Sequence, residues 1–331
     1  AWEEDNWKFH YLIVKDVQGI IVSSTYLTSG LIKDDMFAYE NISQQIEDQR
    51  EDDRYLLTSD ALVMGSLFSE GEHLVIDDQH HQSIEAITMI LEKIRSIQEE
   101  LEINTVILRD FVEGNEELEV LFQDRGYVKM QMPNSNIIYD LNKDREKEFV
   151  NTLTARSRKH VRTDVLRHEQ HFDFEIKNKL EEAEMSWLYE HYLEVVNRNV
   201  AINVFPYPRS IFENMNQNGA WEFAVLSLKD GNEVSGKKEL QGVICSYKEG
   251  SSYSPMLLSM DYKNNGQYKI YKQLLYQVVD SARTRNYKTL YFGFSADTEK
   301  RKLGATQVSK LAFVNIEDNF NAELIGQMIN N

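Results

Sequence analysis

The stretch LSMDYKNNGQYKIYKQLLY, residues 258–276, contains the change of pattern that decides the fold. Its first residues, Leu258-Ser259-Met260, close a run typical of a buried strand. A polar turn from Asp261 to Gln267 follows and contains one glycine, Gly266. Apolar residues then recur at helical spacing, namely Tyr271, Leu274, Leu275, Val278 and Ala282. The stretch therefore predicts a strand that leads through a polar loop into an amphipathic helix.

The elements around this stretch extend the same pattern. Residues 289–292, Thr-Leu-Tyr-Phe, are predicted to form the next strand. A short basic helix that stops at Gly304 and a last strand at 311–314 follow. We therefore expect an α/β protein with a mixed sheet in this half of the chain.

The first half has a similar order of elements. A predicted strand ends at Asp77, a helix follows, and the next strand begins at Thr105, 28 residues after Asp77. In the second half, Asp261 and Thr289 are also 28 residues apart. We infer a structural duplication in which Asp77 and Asp261 end matching strands.

Charge divides the 331-residue chain unevenly. Residues 1–143 hold 29 Asp and Glu against 11 Lys and Arg, whereas residues 144–331 hold 25 of each, so the first half carries the whole net charge of −18. An acidic surface repels nucleic acid and anionic lipid at long range. We therefore expect neither a membrane nor a nucleic acid partner, and we expect any anionic ligand in the second half.

Several classes of protein are disfavoured by the sequence. No apolar run approaches the roughly 20 residues of a membrane helix, and the N-terminus does not resemble a signal peptide. The single cysteine, Cys245, excludes an internal disulfide. These features predict a cytoplasmic protein. Because the chain begins with Ala1, it is either processed or a piece of a longer protein.

The familiar short catalytic motifs are also missing. The chain has no P-loop, no Gly-x-Ser-x-Gly and no Gly-x-Gly-x-x-Gly pattern, so nucleotidase, hydrolase and dinucleotide-binding functions lack support. His168 and His171 are three residues apart, as two metal ligands on a helix can be, but no third ligand is evident. We predict no metal site.

In its order of elements the chain resembles the GNAT acyltransferase superfamily, here in tandem. The resemblance rests on residues 258–276, on Leu290 to Ser295, on Lys302-Leu303-Gly304-Ala305, and on the basic segment Arg156 to Arg162. It is closest to the two-domain relatives of the Fem-type aminoacyl transferases. Residues 63–74 are also similar to GNAT regions that follow a PLP-dependent oxoamine synthase.

The resemblance implies two GNAT-like domains with different roles. Residues 1–143 would form a non-catalytic scaffold, because the loop from Asp78 to Gln82 has no glycine. Residues 144–331 would bind the donor and carry the candidate catalytic site. The implied activity is that of an N-acyltransferase, which moves an acyl group from a thioester, either acyl-CoA or acyl-carrier protein, to a small-molecule amine. A carrier protein or a fused PLP-dependent enzyme is the implied partner.

The resemblance also selects the candidate donor-binding residues. The family's phosphate loop reads [Gln/Arg]-x-x-Gly-x-[Gly/Ala], and residues 263–268 match it with Tyr268 in place of the small last residue. A carrier-protein thioester or an aminoacyl-tRNA would tolerate this tyrosine better than CoA, although the acidic first half disfavours tRNA. The expected donor-binding residues are Lys263, Asn265, Gly266, Gln267, Tyr268, Arg158 and Arg162.

Two further residues are candidates for the chemical step. Asp261 ends the strand where the acyl carbonyl would lie, and it can act as a base or orient the amine. Ser295 follows the next strand, near where the family often places its general acid. A structural alternative stays open for each of these two residues, namely a turn carboxylate for Asp261 and a surface residue for Ser295. For the arginines of the basic segment, the alternative is a solvated helix face.

A second function from another class stays open. The imperfect phosphate loop is also consistent with a non-catalytic GNAT-like module that docks a partner enzyme or a carrier protein. Stabilisation of the protein by CoA, acyl-CoA or acyl-carrier protein would distinguish an enzyme from such a module.

Overall fold

A computed structural model describes residues 6–36, 38–199, 202–229 and 239–316. The chain folds into two compact units. The first unit comprises residues 1–133, 200–205 and 309–331, and the second comprises residues 134–199 and 206–308. Each unit has a mixed sheet with helices, so the predicted α/β class is confirmed.

The first unit is built from the early strands and three helices. Its strands are β1 (Lys8–Lys15), β2 (Ile21–Lys33), β3 (Thr58–Met64), β4 (Leu74–Ile76) and β5 (Thr105–Phe111), with the first part of β6 (Val128–Ile138). Its helices are α1 (Glu40–Arg50), α2 (Ser83–Glu100) and α3 (Glu116–Gln123).

Helix α2 connects two parallel strands of the first unit. β3 and β5 pair in parallel, with Leu62 opposite Val106. The apolar stripe of α2 is buried in a core that also contains Leu62, Val106 and Phe122. Burial of this stripe removes apolar surface from water, which is the dominant favourable contribution to folding.

The second unit is built from the remaining elements. Its helices are α4 (Phe149–Thr152), α5 (Ala155–Val161), a π-helix (Arg162–Leu166), α6 (Arg167–Glu169), α7 (Glu182–Arg198), α8 (Arg209–Gln217), α9 (Asn265–Tyr268), α10 (Ile270–Thr284) and α11 (Asp297–Lys302). Its strands are β7 (Phe172–Lys177), β8 (Trp221–Leu228), β9 (Glu239–Glu249), β10 (Ser252–Met260) and β11 (Thr289–Tyr291), with the end of β6 and the start of β12 (Thr306–Ile316).

An antiparallel meander followed by a parallel pair forms the sheet of the second unit. β7, β8, β9 and β10 pair in chain order, and β11 then pairs in parallel with β10. Helix α10, which connects β10 with β11, lies close to β9. An added Cβ at Gly242 would meet a Leu274 methyl carbon at 2.3 Å, so only glycine fits here without a shift.

The last strand of each sheet comes from the other half of the sequence. In the first unit, residues 311–316 of β12 pair antiparallel with β5, so that Phe313 lies opposite Leu108. In the second unit, Ile137 and Ile138 of β6 pair antiparallel with β11. The units therefore differ from the contiguous ranges 1–143 and 144–331, because each includes a strand that a linear division assigns elsewhere.

The predicted match between Asp77 and Asp261 is wrong. Asp77 follows β4, a three-residue strand that pairs antiparallel with β2. The strand that corresponds to β10 is instead β3, because β3 precedes the long helix and pairs in parallel with the strand after it. β4 lies in the loop between β3 and α2. The 28 residues from Asp77 to Thr105 were therefore counted from the end of β4 and not from the end of β3, which is the counterpart of β10.

The basic segment Arg156 to Arg162 belongs to an interrupted helical stretch from Phe149 to Glu169. This stretch consists of α4 and α5, the π-helix Arg162–Leu166, and the single turn α6. A π-helix leaves backbone carbonyls without their usual intrahelical partners. The buried side chain of Gln273 on α10 satisfies one of them, since its Nε2 donates to the Val165 oxygen at 2.6 Å.

Candidate active site

The parallel strands β10 and β11 part shortly after they begin. They pair at only two positions, Ser252 with Thr289 and Tyr253 with Leu290, although β10 continues to Met260. The register of β10 against β9 shifts between Pro255 and Leu257, which is the sign of a β-bulge. Beyond the bulge, β10 still pairs with β9 along one edge. The backbone groups on its other edge are not paired with β11 there.

A turn at the end of β10 is held by Asp261. This residue is buried, its N–H donates to the Gln241 carbonyl at 3.0 Å, and its Oδ1 accepts the Lys263 N–H at 2.8 Å. Asn264 extends the turn by donating to the Gln241 side chain at 2.9 Å. The carboxylate of Asp261 therefore acts as a turn acceptor and fixes the direction of the loop that follows.

The loop continues into α9, which presents free backbone donors. Within the part of the chain that the structure describes, the N–H groups of Gly266 and Gln267 donate to no backbone carbonyl. Lys269 ends α9 in the left-handed conformation, with φ 57°, and α10 begins at the next residue. An added Cβ at Gly266 would meet no atom within 4 Å, so open space lies beside these donors.

The tyrosine that departs from the family pattern has a packing role. The Tyr268 ring lies 5.2 Å from the His171 ring, 5.8 Å from Phe172 and 6.0 Å from His168. Burial lowers the pKa of His168, and the charges of Arg167, His171 and Lys269 lower it further. The two histidines therefore pack around an aromatic ring.

Cationic side chains surround the loop. Lys263 is exposed, and Lys269 donates to the Gly266 carbonyl at 2.9 Å. The Arg198 guanidinium, at the end of α7, lies 4.4 Å from the centre of the Tyr262 ring. Arg198 and Lys269 were not among the predicted site residues. Charge on the loop itself could have indicated Lys269, whereas no local pattern indicated Arg198.

The predicted arginines of the basic segment form hydrogen bonds with residues just before the segment and not with the loop after β10. Arg158 donates to the Leu153 carbonyl at 2.9 Å, and Arg162 donates to the Asn151 side chain at 3.1 Å. The same segment reaches α10 through Asp164, which accepts from Lys272 at 2.7 Å. Asp164 and the Val165 carbonyl, just after the segment, contact α10, whereas the two guanidinium groups stabilise the end of α4.

Ser295 lies in a strained loop after β11. Ser295 and its neighbour Ala296 have φ of 62° and 49°, and Gly293 has φ 72°. Buried Asn136 anchors this loop, because its Nδ2 donates to the Gly293 carbonyl at 3.1 Å and to Asp297 Oδ1 at 2.9 Å. Positive φ at residues other than glycine costs energy and is frequent at functional sites.

A polar cluster joins α5, α10 and α11. His160 lies 3.0 Å from Glu299 and 3.3 Å from Asp164, and Lys302 lies 2.7 Å from Glu299. Burial alone would raise the pKa of Glu299, but the hydrogen bond from Lys302 and the charge of Lys272 lower it. The hydrogen bond from Lys272 likewise lowers the pKa of Asp164. Both carboxylates are thus favoured in their charged forms.

The structure therefore brings together the turn after β10, α9 and the start of α10, which contain Asp261 and residues 263–268. Donor N–H groups at a helix start favour an anion, and the unpaired edge of β10 offers N–H groups to an oxyanion. Among the residues described, no group of three or more His, Cys, Asp or Glu side chains is arranged to hold a metal. In the described part of the chain, no helix combines the length and the hydrophobicity that spanning a membrane requires.

Comparisons with known proteins agree with this geometry. Residues 155–301 match a family model described as "Acetyltransferase (GNAT) domain". This range contains β10, the loop, α10 and β11. No protein with a curated description matches the chain.

Solved structures share the fold over nearly the whole chain. FemX is 13% identical with a TM-score of 0.63, and the alignment covers 98% of this chain and 92% of FemX. L-PGS from Bacillus licheniformis is 12% identical with a TM-score of 0.57, covering 99% of this chain and 88% of that one. A GNAT region of a fungal multi-domain GH3 β-N-acetylglucosaminidase is 10% identical with a TM-score of 0.51, covering 94% and 34%.

Proposed function

From the relationship of this chain to GNAT acetyltransferases and to Fem-type proteins, we propose that it is an N-acyltransferase that uses a thioester donor and an amine acceptor. The observation that carries this proposal is the parting of β10 from β11 directly beside a loop with free N–H groups. A thioester donor needs both features, because its acyl arm lies between the parted strands and its phosphates bind to the N–H groups of the loop.

In this proposal the donor is acyl-CoA, and its pyrophosphate binds at α9. The N–H groups of Gly266 and Gln267 donate to phosphate oxygens, and the exposed Lys263 adds a positive charge. Asn265 shapes the loop, because its Oδ1 accepts the Tyr271 N–H at 3.2 Å. The Tyr268 ring packs against His171 and Phe172, so it has partners within the fold. This packing supports CoA as the donor, although the family pattern has a small residue at this position.

The chemical step is an ordinary aminolysis of a thioester. The amine nitrogen attacks the acyl carbonyl, a C–N bond forms, and the C–S bond breaks. An N–H group on the free edge of β10 stabilises the oxyanion of the intermediate. The proton released by the nitrogen passes to a base, and the thiolate leaving group takes up a proton. Ser295, in its strained loop after β11, is the candidate that supplies the latter proton.

Asp261 has a positioning role in this scheme. Its Oδ1 is engaged by the Lys263 N–H, so it holds the loop in place, while its other carboxylate oxygen stays available to orient an amine. The first unit is proposed as a scaffold for the reaction, because the loop at residues 78–82 has no glycine. A carrier protein, or a PLP-dependent enzyme that supplies the amine, is the proposed partner.

Donor binding tests the proposal. CoA, an acyl-CoA and acyl-carrier protein are each added while thermal unfolding is followed, and a ligand at about 100 times its Kd should add about 2.7 kcal/mol of stability. Gly266→Val should abolish this shift and leave the fold intact, because its Cβ enters open space. Gln79→Val, in the exposed loop of the first unit, is the matched control and should bind normally. Normal binding by Gly266→Val would place the donor elsewhere.

The alternative is a non-catalytic module that binds a carrier protein or an enzyme. It is favoured by the engagement of Asp261 in a backbone turn, which leaves no dedicated general base identified at the loop. The two functions differ in turnover. An enzyme releases free thiol in the presence of donor and a panel of amines, whereas a docking module binds the donor or carrier protein and releases none.

A further inference from the structure

The first unit contains a cavity of about 270 Å³. None of its lining residues belongs to β10 or β11, the strands of the proposed donor site. The cavity lies on the sheet face opposite α2. Its floor consists of alternate residues of β5 and β12, whose intervening residues, such as Val106 and Phe313, belong to the core beneath α2. Its wall is formed by residues that follow the buried part of β2, namely Lys33, Asp34, Met36, Ala38 and Tyr39.

The lining of the cavity is mainly apolar. Side chains from four strands meet there, among them Ile32, Ile107, Met130, Met132, Ala312 and Val314. Ligand sites in proteins are typically concave and apolar with a few placed polar groups. Methionine suits such a wall, because its flexible side chain adapts to the shape of a bound molecule.

Charged groups beside the cavity are paired, with one exception. Lys33 Nζ lies 2.8 Å from Glu47, and Arg50 lies 2.6 Å from Asp35. Asn203 links the pairs, donating to Asp35 and to Glu47 at 2.7 Å each. Asp34 lines the cavity, and no cation in the described residues lies within ion-pair distance of it.

These charged side chains, when ionised, carry one net negative charge among them. Two cations, Lys33 and Arg50, face three carboxylates, Asp34, Asp35 and Glu47. Burial raises the pKa of Asp34, and the charge of the neighbouring Asp35 raises it further. A hydrogen bond from Ser59 and the charge of Arg50 lower this pKa, but by less. A positively charged ligand would remove this cost, whereas an anion would increase it.

We propose that this cavity is a binding site for a small organic cation, an alkylammonium whose apolar body fills the space between β5, β12 and the wall, and whose nitrogen pairs with Asp34. The site belongs to the first unit and goes beyond the proposed acyl transfer. Charge complementarity selects the cation, and the methionine-rich wall selects an apolar body rather than a sugar or a nucleotide.

Calorimetric titration with three six-carbon probes tests this site. Hexylamine, which is protonated at pH 7, should bind. 1-Hexanol should bind about tenfold more weakly, and hexanoate should show no binding. Equal binding of hexylamine and 1-hexanol, binding of hexanoate, or no binding of any probe would overturn the proposal. These titrations need no acyl donor, so their failure leaves the proposed transferase activity untouched.

Variants locate the probe in the cavity. Ala312→Leu fills the space and should abolish hexylamine binding, and Asp34→Asn should reduce it to the affinity of 1-hexanol. Asp60→Asn changes an exposed carboxylate on β3 and should bind like the unaltered chain. If Ala312→Leu fails to fold in a thermal melt, Met130→Trp, at a half-buried position, replaces it. Unchanged hexylamine affinity in the filled and the Asp34 variants would contradict the assignment.

Discussion

Individual residues in both units are constrained by their neighbours. Gly65, directly after β3, has φ 76°, and an added Cβ would meet the His73 ring at 2.5 Å. That ring is itself fixed, because His73 Nε2 lies 3.0 Å from the buried carboxylate of Asp110. The turn that separates β3 from β4 therefore requires glycine for its backbone conformation and for the space beside it.

Gly65→Ala should destabilise the chain through both effects, by about 1–3 kcal/mol. Gly71→Ala is the matched control, since Gly71 in the same loop has φ 112° but no atom within 4 Å of an added Cβ. The measurement is the free energy of unfolding in denaturant. If the two variants lose equal stability, contact with His73 contributes nothing and the loop geometry described here is incorrect.

Asp34 predicts a pH dependence of stability. Its folded-state pKa is raised, so its ionisation opposes folding at every pH above that pKa, and the cost disappears as the pH falls through it. Asp34→Asn should therefore be more stable than the unaltered chain at pH 7. The difference should shrink towards pH 4. A variant that is less stable at pH 7 would show that the carboxylate has a stabilising partner.

At the scale of elements, the sequence predicted the parts that a single pattern encodes. The change from apolar to polar to periodic residues at 258–276 indicated β10, its loop and α10, and all three are present. The pairing of β4 with β2 could not be predicted, because three residues carry too little pattern to identify a partner. The positions of Arg158 and Arg162 depended on where the preceding helix ends, which spacing within the segment does not reveal.

The loop after β11 should depend on Asn136. Asn136→Ala removes two hydrogen bonds to buried or half-buried acceptors, and we expect a loss of about 1–3 kcal/mol of stability. Asn142→Ala removes one exposed hydrogen bond, to Asn286, and should cost less than about 0.5 kcal/mol. Denaturant unfolding measures both. Equal effects would mean that Asn136 does not anchor the Gly293–Asp297 loop.

At the scale of the whole molecule, each sheet depends on a strand from the other half of the sequence. The local pattern predicted a strand at 311–314, but the exchange of partners is a tertiary property that local propensity does not encode. The linear division at residue 143 followed the order of predicted elements along the chain, and that order does not reveal which strands pair.

The exchange predicts that the two halves are not independent. A fragment of residues 1–143 lacks β12, and a fragment of residues 144–331 lacks β6, so each exposes a core strand edge. Separately produced fragments should show no cooperative thermal unfolding, and mixing or co-expression should restore it. A cooperative transition in either fragment alone would contradict this dependence.

In the proposed function, the loop between β10 and α10 binds the phosphates of a thioester donor. The most direct measurement is the backbone amide NMR spectrum of the full chain during titration with CoA. The Gly266 and Gln267 resonances should shift and saturate together, because their N–H groups are the free donors at α9. Saturable binding of CoA that leaves both resonances unmoved, or the absence of any binding, would contradict this proposal.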